Sequence, residues 1–274
     1  MPFKDLLVTI DATREGRERL AVAIDLARRG GAHLVGFYRS VQVEPTLASD
    51  LAGLGRSGGP AVSHEGALAE TMEQRFHDAL ARLGLAGTWL APGDHALDDA
   101  VLHTRAVDLA IVGLGDPDRL EENPQGFAPD DLILAAGRPV LGIPIANVPE
   151  RIGRNILVAW DGSRPASRAM NDALPLLAGA ESVTVLVIGT DAWASQQAEM
   201  ATAHLRRHGV AATASRPPGG DLDPGDQILA HCEHIHADLV VAGAYGHSRL
   251  SQAILGGVSR TLLRQMMVPV LMSH

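Results

Sequence analysis

Four glycines and a serine near the C-terminus carry the spacing best suited to chemistry. An apolar run from Leu239 to Ala242 leads into Gly243-Ala-Tyr245-Gly246, and after nine intervening residues Gly256-Gly257-Val258-Ser259 opens a stretch of helical period. Glycines after a strand let backbone N–H groups approach an anion with no Cβ in the way. A helix start adds unpaired amides and the positive end of the helix dipole. Gly-x2-Gly-x9-Gly with a hydroxyl close behind therefore reads as a phosphate cradle. Taken singly, such glycines are more often plain turn formers. Here they fall where one loop and one helix start can face a common anion.

Other residue types offer less. Asp11 and Asp161 each close an apolar run; such an aspartate is either a helix N-cap or a ligand contact. With Ser163 free to cap, ligand contact is expected of Asp161 and a structural role of Asp11. His231-Cys232-Glu233-His234-Ile235-His236 has the residue types of a metal site. Its position near a helix end favours a packed thiol with histidines where the dipole welcomes them. His64-Glu65 lacks the second histidine of a zinc-protease helix, since Leu68 stands there, and no Gly-x-Ser-x-Gly elbow occurs. Lys4 is the sole lysine, which excludes a Walker lysine and Schiff-base chemistry in the body of the fold. Arg249 and Arg260 flank the glycine loop and read as solvated, and Trp89, Trp160 and Trp193 as too isolated for a stacking platform.

The elements that must position these residues occur twice. Lys4-Asp-Leu-Leu-Val-Thr-Ile-Asp11 aligns with Arg154-Asn-Ile-Leu-Val-Ala-Trp-Asp161 at an offset of 150, and Asp108-Leu-Ala-Ile-Val-Gly113 with Asp238-Leu-Val-Val-Ala-Gly243 at 130. Pro139-Val-Leu141 matches Pro269-Val-Leu271 at 130. Repetition on this scale indicates a duplicated domain, here 1–149 and 152–274. The difference of 20 residues is placed in a Gly/Ser/Pro-rich loop over 45–66. In the second half strands are expected near 155–160, 183–188, 211–215, 238–242 and 269–272, with helices near 164–178, 194–208, 225–235 and 257–266. β-Branched runs separated by helical periods indicate an α/β fold with parallel sheets covered on both faces. Such sheets bind ligands at strand carboxyl ends where strand order reverses. Pairing of the two last strands, near 140–143 and 270–273, would cover two apolar edges and give an internal pseudo-dimer. A homodimer through other faces stays open.

Composition bounds the function. The chain has 274 residues, 46% apolar and 20% charged, with a net charge of −9. That is a globular protein of about two domains, with an acidic surface unsuited to nucleic acid. One cysteine, no signal-like leader and no long apolar stretch point to the cytoplasm and away from membranes.

With the glycine loop and the repeat together, the chain resembles the universal stress protein family in its tandem two-domain form. The resemblance implies two open, doubly wound, five-stranded Rossmann-like domains of the adenine nucleotide α-hydrolase-like kind. It further implies an adenine nucleotide, ATP with Mg2+ as its companion, held by Asp161, the backbone near Val187, and Gly243, Tyr245, Gly246, Gly256, Gly257, Val258 and Ser259. Members that bind ATP usually carry Ser or Thr where this chain has Gly257, a loss of one hydroxyl donor. The first half departs further: Asp116 stands over Gly246, Phe127 over Gly257 and Pro129 over Ser259. A carboxylate repels phosphate and proline has no N–H to give, so the first site reads as abandoned. Three functions follow. A nucleotide-binding stress-response regulator, with at most slow ATP hydrolysis, leads. A nucleotide-free scaffold acting through protein contacts comes next, and an adenylating or ATP-hydrolysing enzyme, for which the signature loops are absent, is remote.

Overall fold

The computed structural model describes residues 1–39, 61–92, 95–114, 127–146, 148–149, 151–217, 222–246 and 257–274, with backbone alone for 61–65. In the first half β1 (Asp5–Ile10), α1 (Arg14–Gly30), β2 (His33–Tyr38), α2 (Ala61–Ala81), β3 (Gly87–Leu90), α3 (Ala96–Thr104), β4 (Leu109–Gly113), α4 (Pro129–Ala136) and β5 (Val140–Ile143) alternate. The second half repeats the plan with β6 (Asn155–Ala159), α5 (Arg164–Asp172), α6 (Leu174–Leu177), β7 (Ser182–Leu186), α7 (Ala192–Arg207) and β8 (Ala212–Ser215). It closes with α8 (Pro224–His234), β9 (Leu239–Gly243), α9 (Gly257–Gln265) and β10 (Val270–Ser273).

The strands form one open sheet in the order β3-β2-β1-β4-β5-β10-β9-β6-β7-β8. Within each half neighbours are parallel; β5 and β10 meet antiparallel, with Leu141 opposite Leu271. Each half thus has the same winding, and the two last strands pair as the apolar edges predict. Successive strand residues feed opposite layers. Leu6, Val8, Ile156 and Val158 belong to one core, and Leu7, Leu157, Leu262 and Val270 to the other. Both faces are buried, which is why the strands read as continuous apolar runs. The strand starts are also tied alike: Asp108 accepts from the N–H groups of Lys4 and Asp5, and Asp238 from those of Gly153, Arg154 and Asn155.

Helix ends follow local chemistry. Thr13 caps α1 by accepting from Gly16 N–H, and Gly31 closes it in the left-handed region at φ 60°. Between them Val22, Ala23, Leu26 and Ala27 form a stripe of helical period on the sheet. Two expectations need correcting. The single helix over 164–178 is two, α5 and α6, because Pro175 has no N–H to donate and its ring crowds the carbonyl four residues back. The loop over 45–66 ends earlier: α2 already begins at Ala61. Met72, Phe76 and Leu80 pack that helix on the core at four-residue spacing, and no proline interrupts the chain back to Pro60. Residues 45–60 lie outside the described residues.

Candidate functional site

In the second half the order of strands reverses between β6 and β9, and a cavity of about 450 Å³ opens at their carboxyl ends. Its inner wall is apolar, from Ala159, Leu186, Val187, Ile188 and Ile228. Its mouth is lined by Asp161, Gly243, Tyr245, Gly246, Gly257, Val258 and Ser259. Eight of the nine predicted site residues therefore meet around one space. The ninth, Gly256, lies outside the described residues, as does Asp116 of the first half.

The residues reach the cavity for different reasons. β6 ends at Ala159, so Asp161 lies two residues beyond the strand, and its Oδ1 accepts from Ser163 N–H at 2.9 Å. Ser163 in turn caps α5, accepting from Ala166 N–H at 3.2 Å. Gly243 owes its identity to packing: a Cβ there would stand 2.3 Å from Ala166 N and 2.7 Å from Pro165 C. Its lack of a side chain lets the start of α5 close on the end of β9. Tyr245 adopts φ 58°, unusual for a residue with a side chain. Ser259 Oγ accepts from Tyr245 N–H at 3.1 Å, which ties that turn to α9. Ser259 is only 4% exposed, so it pins the loop from below, where the sequence suggests a direct phosphate contact. Gly246 and Gly257 are exposed, and no described residue lies within 4 Å of a Cβ built on Gly257. Val187 commits its N–H to the Ser215 carbonyl at 3.1 Å.

Sequence reasoning missed part of the wall. Trp160 and Trp193, far apart in the chain, both line the cavity, as do Asp191, Gln197 and Pro224. Asp191 caps α7, accepting from Ala194 N–H at 2.7 Å. The only advance signal was that Trp160 precedes Asp161 and that Asp191 is a cap residue. Trp160 Nε1, Gln197 Oε1 and Tyr245 Oη are buried without a hydrogen-bond partner. Each such atom without a partner costs on the order of 1–3 kcal/mol. Burial raises the Tyr245 phenol pKa, with Asp130 and Asp131 of α4 adding to the effect.

The comparisons bear on this architecture. The sequence pattern of the universal stress protein family matches residues 153–274. The C-terminal half belongs to that family. A search of the curated proteins found no match. Among solved structures, a universal stress protein from Archaeoglobus fulgidus DSM 4304 superposes with a TM-score of 0.74 at 16% identity, over 97% of this chain and 94% of that one. A protein of unknown function from Pseudomonas aeruginosa PAO1 superposes at 0.57 with 18% identity, over 98% and 92%. At those identities the likeness is one of fold. It spans both halves, whereas the universal stress protein pattern covers the second.

Asp11 is buried and paired with Arg19 at 2.6 Å, and it also accepts from Thr13. Burial alone would raise its pKa; the Arg19 charge and the Thr13 and Arg19 hydrogen bonds outweigh it and hold Asp11 below the usual aspartate range. Phe127 is buried where the second half has the open Gly257. Cys232 is buried, its thiol pushed up to about 11 by that burial. Among the described residues no group of three His, Cys, Asp or Glu is placed to hold a metal ion, and no helix is long and apolar enough to cross a membrane.

Proposed function

We propose that the second half of this chain binds one adenine nucleotide, ATP or a close relative, and that the protein is a nucleotide-dependent regulator of the stress response in the cytoplasm. The reading rests on one observation: a cavity at the strand-order reversal joins an apolar inner wall to exposed glycines at a helix start. The base lies in the apolar part, against Val187 and Ile188. The Asp161 carboxylate accepts from ribose hydroxyls, and the amides of Gly246 and Gly257 face the phosphates at the positive end of α9. Mg2+ would arrive on the phosphates, since the described residues provide no metal cluster of their own. The chain is organised as two domains, 1–149 and 152–274, and the first takes no nucleotide because Phe127 fills the space.

Calorimetric titration of the full chain with ATP tests this, with one nucleotide per chain expected. Trp160 and Trp193 provide a second readout. ATP should change their fluorescence, while Trp89, packed on Tyr38 and Phe76 in the first half, should report nothing. Two equivalents of ATP, or a fluorescence change that persists in Trp160→Phe/Trp193→Phe, contradicts the assignment.

A further inference from the structure

The crevice of the first half lies at the matching reversal, between the carboxyl ends of β1 and β4, and is built from other chemistry. Arg19 of α1 occupies it from below. Its Nε donates to the Thr9 carbonyl and its Nη2 to Asp11 Oδ2, each at 2.6 Å. Its Nη1 lies so close over Gly113 that any Cβ there would collide with it. Arg39, the residue after β2, places its guanidinium carbon 5.9 Å from the centre of the Phe127 ring. Phe127 packs edge-on against Phe37 at 6.5 Å. Phe127, buried at the position that matches the exposed Gly257 of the second half, serves as a platform for a cation.

Among the described residues the charges in this crevice do not balance. The described groups that bear on Arg39 are Arg19 and Asp11, and Asp11 is already engaged by Arg19 and Thr13. Arg39 Nε is buried with no hydrogen-bond partner, and among the described residues its guanidinium has no ion pair. Burial and the neighbouring Arg19 both press Arg39 toward its neutral form, a form arginine does not reach in proteins. Two guanidiniums and one carboxylate leave one positive charge over. An arginine fork placed over an aromatic ring can meet the two-oxygen edge of a phosphate or a carboxylate.

We propose that the first-half crevice is an anion site of its own, in which Arg39, over the Phe127 ring, takes a small oxyanion while the Arg19–Asp11 pair forms the floor. The ligand is a phosphate or a small carboxylate, because Phe127 leaves no room for a nucleoside. The two halves then bind different chemical classes at equivalent places.

The test uses the full chain at constant ionic strength in a buffer free of oxyanions. Thermal unfolding and calorimetry are run with inorganic phosphate and, separately, with malonate, on the wild type, Arg39→Gln and Arg39→Lys. One or both probes should bind and raise the unfolding midpoint of the wild type, and which one does so separates phosphate from carboxylate. Arg39→Gln should lose affinity by about tenfold or more, and Arg39→Lys, which keeps the charge without the fork, should fall between. Without oxyanion, Arg39→Gln should unfold at a higher temperature than the wild type, since a partly buried charge with no counter-charge among the described residues has been removed. Equal protection of wild type and Arg39→Gln overturns the site, as does failure of both probes to bind the wild type. A lower anion-free midpoint in Arg39→Gln also overturns it, by showing that the protein already supplies the counter-charge. A parallel ATP titration keeps the second-half reading separate: its failure alongside phosphate binding would sink that reading only.

Discussion

Replacing Gly246 with aspartate should weaken ATP binding by about 10- to 100-fold, and the structure sets the scale. A Cβ at position 246 would stand 3.5 Å from Asp161 Oδ2 and 2.8 Å from Ser163 Oγ. The new carboxylate would thus share the cavity mouth with Asp161 and face any phosphate held there. Two unit charges about 4 Å apart repel by roughly 4 kcal/mol at an effective dielectric of about 20. Both groups meet solvent, so the net term shrinks toward the 1–3 kcal/mol scale, which is about 10- to 100-fold in affinity. Crowding of Ser163, the cap of α5, adds a stability cost of about 1 kcal/mol. Gly246→Asn carries the same crowding without the charge and is the control. Calorimetry with ATP on both variants, after thermal unfolding has established that each is folded, isolates the charge. If the aspartate and asparagine variants bind ATP equally, the phosphates do not lie at this loop and the assignment fails.

Three further outcomes are expected. Asp11→Asn should lower stability at pH 7 by about 3–5 kcal/mol, because Arg19 is left as an uncompensated buried charge. Since Asp11 is held below its ordinary range, its contribution in the wild type is complete above about pH 4 and is lost as pH falls through the depressed value; urea titrations from pH 7 to pH 2 check both. Gly257→Ser enters open space and should leave stability unchanged within about 0.5 kcal/mol. It should tighten ATP binding by about two- to tenfold, the worth of one hydrogen bond, and weaker binding would place the phosphates away from the α9 start. Residues 152–274 expressed alone should dimerise at micromolar concentration through β10, the strand left without β5. A stable monomer in sedimentation, with the β10 amides unprotected from hydrogen exchange, would contradict that.

Much of this molecule was legible because its signals are local. Leu239-Val-Val-Ala-Gly243 is a fully buried strand ending in glycine, and periodicity and composition both show it. The duplication fixed the winding of each half, and apolar edges such as Val140-Leu-Gly-Ile143 pointed to the β5–β10 joint. Contacts between residues remote in sequence were not legible. Trp160 and Trp193 come together only because β6 and α7 end at the same edge of the sheet. Gly243 looked like a phosphate glycine, and only the approach of Pro165 and Ala166 shows what its missing side chain accommodates. Ser259 looked like a ligand donor, yet its hydroxyl holds Tyr245 in a turn that no pattern announces. Arg19 and Arg39 escaped notice because arginines are scattered through the chain, and their convergence on one carboxylate is a product of the fold.

The antiparallel joint between β5 and β10 turns the carboxyl ends of the two sets of strands toward opposite margins of one sheet. A pair of identical subunits joined this way must suffer every substitution twice, once in each crevice. A single chain suffers it once. Phe127 and Arg39 can therefore stand at one crevice while Gly257 is exposed in the other, and the shared sheet holds both sets of strands in register. In one chain the two ends need not be alike, and here they are not.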